Sequence, residues 1–284
     1  MFTEMKTRLI ILFLLIIYGQ SASAQVKNYG NNPQAGKYLQ VADATLYYEV
    51  YGEGSPLLLL HGDTFGYIAE FEQYIPLLAK QFKVIVPAMR GHGKSAIGSK
   101  RYSYQLFAED VLAIAEKEKM DRFSVMGFSA GATTAYYLAA HYPNRVNKLV
   151  ALAGAIDTAS YRPGVLEELK KRTGDDYEQM APQLVKERRQ LMPQPNSYNL
   201  LIEKLKAVWL QPVYVEKEKL EGVNCPVLIV GGDRDEYMAV EGFDRIHQLI
   251  PGSQLAIMPN CNHVGLLFYP EMVSLIVLPF LQAK

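Results

Sequence analysis

Six short apolar runs limit what this chain can fold into: Leu57–Leu60, Val84–Val86, Phe123–Met126, Val146–Leu152, Val227–Val230 and Leu255–Met258. A strand with one wet face alternates polar and apolar residues, whereas a strand covered on both faces does not, so these runs read as buried parallel strands. Between them lie helical patterns. Phe107, Val111 and Ile114 recur at helical spacing with Glu109, Asp110, Glu116 and Lys117 on the other positions, and Ile246, Leu249 and Ile250 do the same later. Strands alternating with helices predict an α/β fold with a doubly wound, mostly parallel sheet. Ahead of them, Tyr38–Val41 and Thr45–Tyr51 flank the turn Ala42-Asp43-Ala44, and the alternation of Leu46, Tyr48 and Val50 suggests an antiparallel hairpin.

The alternation fails between Asp157 and Gly222. That stretch shows no convincing strand but three charged helical stretches, Gly164–Arg172, Asp176–Leu191 and Ser197–Trp209, punctuated by Pro163, Pro182, Pro193, Pro195 and Pro212. It is too long for a crossover and too patterned for a disordered loop. Residues 157–222 therefore read as a helical cap inserted into a core made of 37–156 and 223–284, the alternative being a second domain unrelated to the site.

At the amino end, Lys6 and Arg8 precede the apolar run Leu9–Tyr18, and Ala22 and Ala24 supply small residues for cleavage. Residues 1–24 have the layout of a signal peptide, with an apolar core too short to span a bilayer comfortably, so the chain is expected to be exported, periplasmic or secreted. An uncleaved anchor is the alternative; after cleavage no stable membrane insertion is expected. Residues 25–36 read as a loose polar leader. The 29 basic and 29 acidic residues balance. Balance gives no electrostatic case for nucleic acid or an anionic membrane, which leaves a small molecule as the expected substrate. Cys225 opens one strand and Cys261 follows the end of another. Two parallel neighbours would hold these thiols at opposite ends, too far apart for a disulfide. No metal-ligand spacing appears, and neither a metal nor another cofactor is expected.

Ser129 lies in Gly127-Phe128-Ser129-Ala130-Gly131, between the run Phe123–Met126 and the helix-like stretch Ala132–His141. The pentapeptide alone is weak evidence, but a strand that enters a Gly-flanked Ser and leaves as a helix has the layout of a nucleophile elbow. A serine hydroxyl needs a neutral imidazole to take its proton, and the imidazole needs a carboxylate to hold its tautomer. Of five histidines, His263 sits in a loop past a strand end and follows the serine in the chain. His141 and His247 fall inside helices, His92 in a turn-forming stretch, and His61 beside Gly62, where it would brace a loop. Three carboxylates compete to orient His263: Asp235 deep in its loop, Asp157 after Val146–Leu152, and Asp233, which is better placed to cap its turn or pair with Arg234. Asp235 is preferred. The tetrahedral oxyanion needs donors as well. The backbone N–H of Ala130 heads a helix, and the second donor should come from the loop His61–Gly66, from the N–H of Asp63 or else Thr64.

These motifs together resemble the α/β-hydrolase superfamily over almost the whole mature chain. His61-Gly62 resembles its oxyanion loop, Arg90-Gly91-His92-Gly93-Lys94-Ser95 its R-G-x-G-x-S turn and Gly127–Gly131 its elbow. Ala139–Val146 resembles the segment that usually follows, Gly232-Asp233-Arg234-Asp235 its acid turn, and Asn262-His263 with Tyr269-Pro270-Glu271 its histidine loop. The resemblance implies a serine hydrolase, an esterase or lactonase, with Ser129 as nucleophile, Asp235 as acid and His263 as base. A carbon–carbon bond hydrolase or peptidase on the same triad, or a non-catalytic binding protein on this fold, are the alternatives. Ser129 argues against the branches with a carboxylate nucleophile. Two positions depart from the pattern. Ala88 stands where many members carry Asp, and Asp63 replaces the usual apolar residue, which predicts that its side chain turns away or meets a cation, or is simply solvated. Phe65, Phe128 and Trp209 are candidates to line an acyl pocket or to be plain core. Neither the acyl group nor the oligomeric state is legible in the sequence.

Overall fold

The computed structural model describes residues 28–283; the expected signal segment 1–24 lies outside the described residues. The chain forms strands β1 (Gly36–Gln40), β2 (Thr45–Tyr51) and β3 (Ser55–Leu60), helix α1 (Ile75–Leu78), β4 (Phe82–Ala88), α2 (Tyr104–Lys117), β5 (Phe123–Phe128), α3 (Ala130–His141) and β6 (Val146–Leu152). Helices α4 (Val165–Lys171), α5 (Gly174–Met180), α6 (Pro182–Leu191), α7 (Tyr198–Trp209) and α8 (Lys217–Glu221) follow. The chain then returns through β7 (Val227–Gly232), α9 (Val240–Leu249), β8 (Gln254–Met258), α10 (Gly265–Phe268) and α11 (Pro270–Gln282).

All eight strands join one sheet in the order β1-β2-β4-β3-β5-β6-β7-β8. β1 pairs antiparallel with β2 and β2 antiparallel with β4, and every later pairing is parallel. The apolar runs explain this. Leu57–Leu60 and Val84–Val86 are fully buried, so both faces of these strands are covered. β8 behaves differently from its apolar reading: Leu255–Ile257 are half-buried because β8 is the sheet edge. The chain leaves β3 towards β4 on one side and returns to β5 on the other. That switch opens a crevice at the carboxyl ends of β3 and β5, where an open α/β sheet places its ligands.

The hairpin expected at the amino end is present, β1 pairing antiparallel with β2, although Tyr47, Tyr48 and Glu49 are all buried. The polar segment before β1 is not loose from Asn28 onward. The N–H groups of Gly30 and Asn32 each donate to the Glu49 carboxylate at 2.8 Å, and the hydroxyls of Tyr47 and Tyr51 donate to it at 2.7 Å. A buried carboxylate needs such donors, and here the leader supplies two of them.

Between β6 and β7 the described chain has helices α4–α8 and no strand, only the isolated bridges Asp157–Val213 and Tyr161–Met238. The single helical stretch expected over Asp176–Leu191 is two helices. Ala181 leaves helical geometry at φ −145°, ψ 66°, because Pro182 disfavours a helical residue before it and starts α6 at its first position. α5 begins earlier than expected, at a capping box in which Thr173 and Asp176 satisfy each other's backbone N–H. Cys225 and Cys261 are both free.

Candidate active site

β5 delivers Ser129 on a backbone at φ 52°, ψ −120°, outside the usual regions for a residue with a side chain. The glycines around it permit this. A Cβ on Gly131 would lie 2.0 Å from the carbonyl oxygen of Leu60, and one on Gly127 would lie 2.3 Å from that of Gly131. Strand and helix therefore approach as closely as backbones can, lifting the serine hydroxyl clear of the sheet. Strain of this kind is concentrated here. Of the five non-glycine residues with positive φ among the described residues, Thr64, Ser129, Ala153 and Asn260 follow strand ends on the same side of the sheet.

The loops after β7 and β8 complete the constellation. His263 Nε2 lies 3.0 Å from Ser129 Oγ, and His263 Nδ1 lies 2.8 Å from Asp235 Oδ2. The Asp235 side chain is fully buried, and its other oxygen accepts the N–H groups of Tyr237 (2.8 Å) and Met238 (3.0 Å). Those donors fix the carboxylate as acceptor, so Nδ1 of His263 carries the proton and Nε2 faces the serine as the acceptor. Phe128 and Tyr237 hold the imidazole between their rings, with centroids at 5.1 Å and 4.8 Å.

The competing carboxylates are engaged elsewhere. Asp157 forms an ion pair with Arg245 (2.5 Å and 3.0 Å) and accepts the Ser160 hydroxyl, while Asp233 accepts the N–H of Cys261 at 3.0 Å and caps its turn. The other histidines have local partners. His61 accepts the N–H of Met89 on Nε2 (2.9 Å), so its Nδ1–H donates to the carbonyl of Gly62 (2.6 Å); burial holds its pKa well below the ordinary value, and it braces the loop as a neutral ring. The R-G-x-G-x-S turn is likewise structural. Buried Arg90 bridges Asp110 and Asp43, and Ser95 donates to the carbonyl of Ala88 (2.6 Å), while buried His92 Nε2 in the same turn has no partner among the described residues.

The loop after β3 lies against the serine: a Cβ on Gly62 would sit 3.4 Å from that of Ser129. The N–H groups of Ala130, Asp63 and Thr64 have no hydrogen-bond partner among the described residues. Three unclaimed donors beside a serine suit an oxygen that gains negative charge.

Among the described residues Asp63 pairs with no cation, and its carboxylate turns to the Trp209 indole instead. It is half-buried in the cavity wall, where its Oδ2 accepts the indole N–H of Trp209 at 2.7 Å, and burial pushes its pKa up to about 6. Behind it stands Glu70, which sequence reasoning missed because a single Glu in a mixed stretch carries no signal. Its carboxylate accepts the N–H of Gly62 (2.8 Å), and burial pushes it up to about 7, against the lowering effects of that N–H and of Arg188. Ser129 opens into a cavity of about 590 Å³. Phe65, Phe128 and Trp209 all line it, joined by Tyr104, Tyr161 and Tyr177, with Leu169 of α4, Arg172 just past it, and Leu184 and Arg188 of α6. The described residues contain no cluster of three or more His, Cys, Asp or Glu able to hold a metal.

A family profile described as alpha/beta hydrolase fold matches residues 55–196, half of the chain, from β3 through the elbow into the helical segment. The chain belongs to the alpha/beta hydrolase fold family. Within it, the AB hydrolase superfamily protein YisY of Bacillus subtilis is 26% identical over 259 residues, covering 83% of this chain and 94% of the relative. Among solved structures, the carboxylesterase CesB from Bacillus subtilis superposes with a TM-score of 0.72 at 22% identity, covering 96% of this chain and 98% of that one. The enol-lactonase from Burkholderia xenovorans superposes with a TM-score of 0.69 at 20% identity, over 86% and 99% of the two chains. This alpha/beta hydrolase is thus a hydrolytic enzyme by family, with an eight-stranded sheet and the elbow geometry in place.

Proposed function

We propose that this chain is an exported serine hydrolase that cleaves a small or medium ester or lactone through an acyl-Ser129 intermediate. The observation that carries the reading is the unbroken relay from Asp235 through His263 to Ser129, ending in an apolar cavity. Ser129 Oγ attacks the carbonyl carbon while its proton passes to Nε2 of His263. Asp235 stabilises the imidazolium, and the N–H groups of Ala130 and of Asp63 or Thr64 receive the oxyanion. Collapse breaks the carbon–oxygen bond and returns the proton from Nε2 to the leaving oxygen. Water, deprotonated by the same nitrogen, then releases the acid. In a lactone the leaving oxygen stays tethered to the acyl group, and hydrolysis yields one hydroxy acid. Residues 157–222 act as a cap whose helices shape the acyl end of the cavity. The carboxylesterase and enol-lactonase likenesses fit this choice of bond, and the aromatic lining suits an uncharged acyl group better than a peptide.

The test is covalent labelling by a fluorophosphonate together with a panel of esters and lactones graded by acyl length. Wild type should label and turn over. Labelling no stronger than that of Ser129→Ala would overturn the reading. Export rests on the Lys6/Arg8, apolar and Ala22/Ala24 layout, and amino-terminal sequencing of the protein recovered outside the cytoplasm should begin at Gln25.

A further inference from the structure

Three side chains from the helices over the cavity hydrogen-bond three consecutive residues of the loop that lies against Ser129. The Trp209 indole N–H donates to the Asp63 carboxylate at 2.7 Å, the Tyr198 hydroxyl to the carbonyl of Thr64 at 3.3 Å, and the Arg188 Nε–H to the carbonyl of Phe65 at 2.5 Å. Packing reinforces them. The Arg188 guanidinium lies 4.0 Å over the Tyr67 ring, and Phe65 meets Tyr177 edge-on at 5.6 Å. On its core side the same loop is held by Glu70 at the Gly62 N–H and by His61 at the Gly62 carbonyl.

Between these two sets of contacts Thr64 sits at φ 60°, a region that a β-branched residue enters only at a cost. A strained turn keeps its shape only while its surroundings impose it. Here three of the five hydrogen bonds just named come from α6 and α7, outside the sheet. The N–H group of Trp209 meets a carboxylate, and hydrogen bonds to ionised acceptors are the stronger kind. It also fixes the direction of the Asp63 carboxylate, which pointed at the substrate carbonyl would oppose negative charge there.

We infer that Trp209, acting through Asp63 and supported by Tyr198 and Arg188, is a positioning residue for the oxyanion donors, so that the loop reaches its reactive shape only when α6 and α7 are seated on it. This rests on the serine-hydrolase reading. It makes the helical segment part of the chemistry, since seating the helices over a bound substrate and setting the donor positions become one event. The indole itself need not touch the reacting atoms.

Trp209 is the sole tryptophan of the sequence, so its fluorescence reports this contact without interference. The titratable and charged groups that face Asp63 or share its surroundings are Glu70, Arg188, His263 and the tyrosines at 102, 104, 161, 177 and 214. Titration of wild type should change Trp209 emission with a midpoint near 6, the value to which burial pushes Asp63; the change should persist in Glu70→Gln and vanish in Asp63→Asn. With a chromogenic acetate ester, Trp209→Phe, which keeps a ring and removes the N–H, should slow acylation by about 10- to 100-fold, the scale of a slightly misplaced catalytic group, with KM changed less than about threefold. Inhibition by a trifluoromethyl ketone, which forms an oxyanion on Ser129, should weaken in proportion. Asp63→Asn retains an acceptor for the indole and should lose less than Asp63→Leu. Raised KM with unchanged acylation in Trp209→Phe, or equal losses in the two Asp63 variants, would overturn the inference. If wild type does not react with a fluorophosphonate, the catalytic reading fails instead, while the fluorescence titration still decides whether the indole and carboxyl meet in solution.

Discussion

Ser129, His263 and Asp235 each depend on backbone that has little freedom. The serine occupies φ 52° because Gly127 and Gly131 let strand and helix touch, so Gly131→Ala should destabilise the fold by at least about 1–3 kcal/mol, its methyl pressing on the Leu60 carbonyl. A thermal melt unchanged from wild type would show that the elbow can relax. Asp235 is held by two backbone N–H groups with its other oxygen on Nδ1 of His263, where the proposed relay needs it to keep the proton. Asp235→Asn should therefore lower kcat by roughly 10⁴-fold while leaving the protein folded, as expected when an imidazole is held in the wrong tautomer. Near-wild-type turnover in that variant, with loss in Asp157→Asn, would reassign the acid. Only the structure puts Asp235, rather than Asp157 or Asp233, against His263, whereas Ser129, at the end of an apolar run, and His263, in the loop past another, were legible in the sequence. Glu70 and Arg188 were not: each reaches the cavity through a fold contact with no local pattern to mark it.

At the scale of elements, the short 3-10 turn Ile68–Phe71 carries Glu70 to the loop after β3, and burial raises this acid above its ordinary value of 4.5 to about 7. A folded-state value above the unfolded one means that the contribution of Glu70 to stability is complete below about pH 4.5 and is lost as the pH rises through about 7. Glu70→Gln keeps an acceptor for the Gly62 N–H without the charge, so its melting temperature should gain on wild type between about pH 5 and about pH 8. A difference that stays constant over that range would place the titration of Glu70 elsewhere. The roofing helices are short, and their ends matter accordingly. Thr173→Ala, which removes the capping box of α5, should cost about 1 kcal/mol, measurable by denaturant titration. The break at Ala181 was readable in principle from Pro182, but the charged pattern on both sides has one continuous helical period and hides it.

For the whole molecule, the segment before β1 is part of the fold rather than a tether. Glu49 is fully buried and its four donors come from the leader and from its own strand. Glu49→Ala would leave the Tyr51 hydroxyl and two N–H groups without an acceptor and the Tyr47 hydroxyl only the distant Asn32 carbonyl, and should cost about 3 kcal/mol or more. Deleting residues up to Gln34 should destabilise the protein by the same route, since it removes two of those donors; an unchanged denaturation midpoint in the truncated chain would show that water replaces them. The strand order places this arm at one edge of the sheet and β8 at the other, with the switch between β3 and β5 in the middle. The crevice is therefore central, and the loops carrying Ser129, Asp235, His263 and Asp63 each reach it from a different strand.

The sequence by itself determined the class of sheet, the elbow, and the chain order of serine, acid and histidine. Continuous burial and tight glycine turns are local demands, and local demands are written in neighbouring residues. Only the tertiary structure decided which of three carboxylates faces His263, what Asp63 touches, and that Trp209, Tyr198 and Arg188 converge on one loop. Those pairings span long stretches of chain, from 28 residues between Asp235 and His263 to 146 between Asp63 and Trp209. No periodicity reaches across such separations, because the contacts exist only once the sheet has fixed where each loop ends.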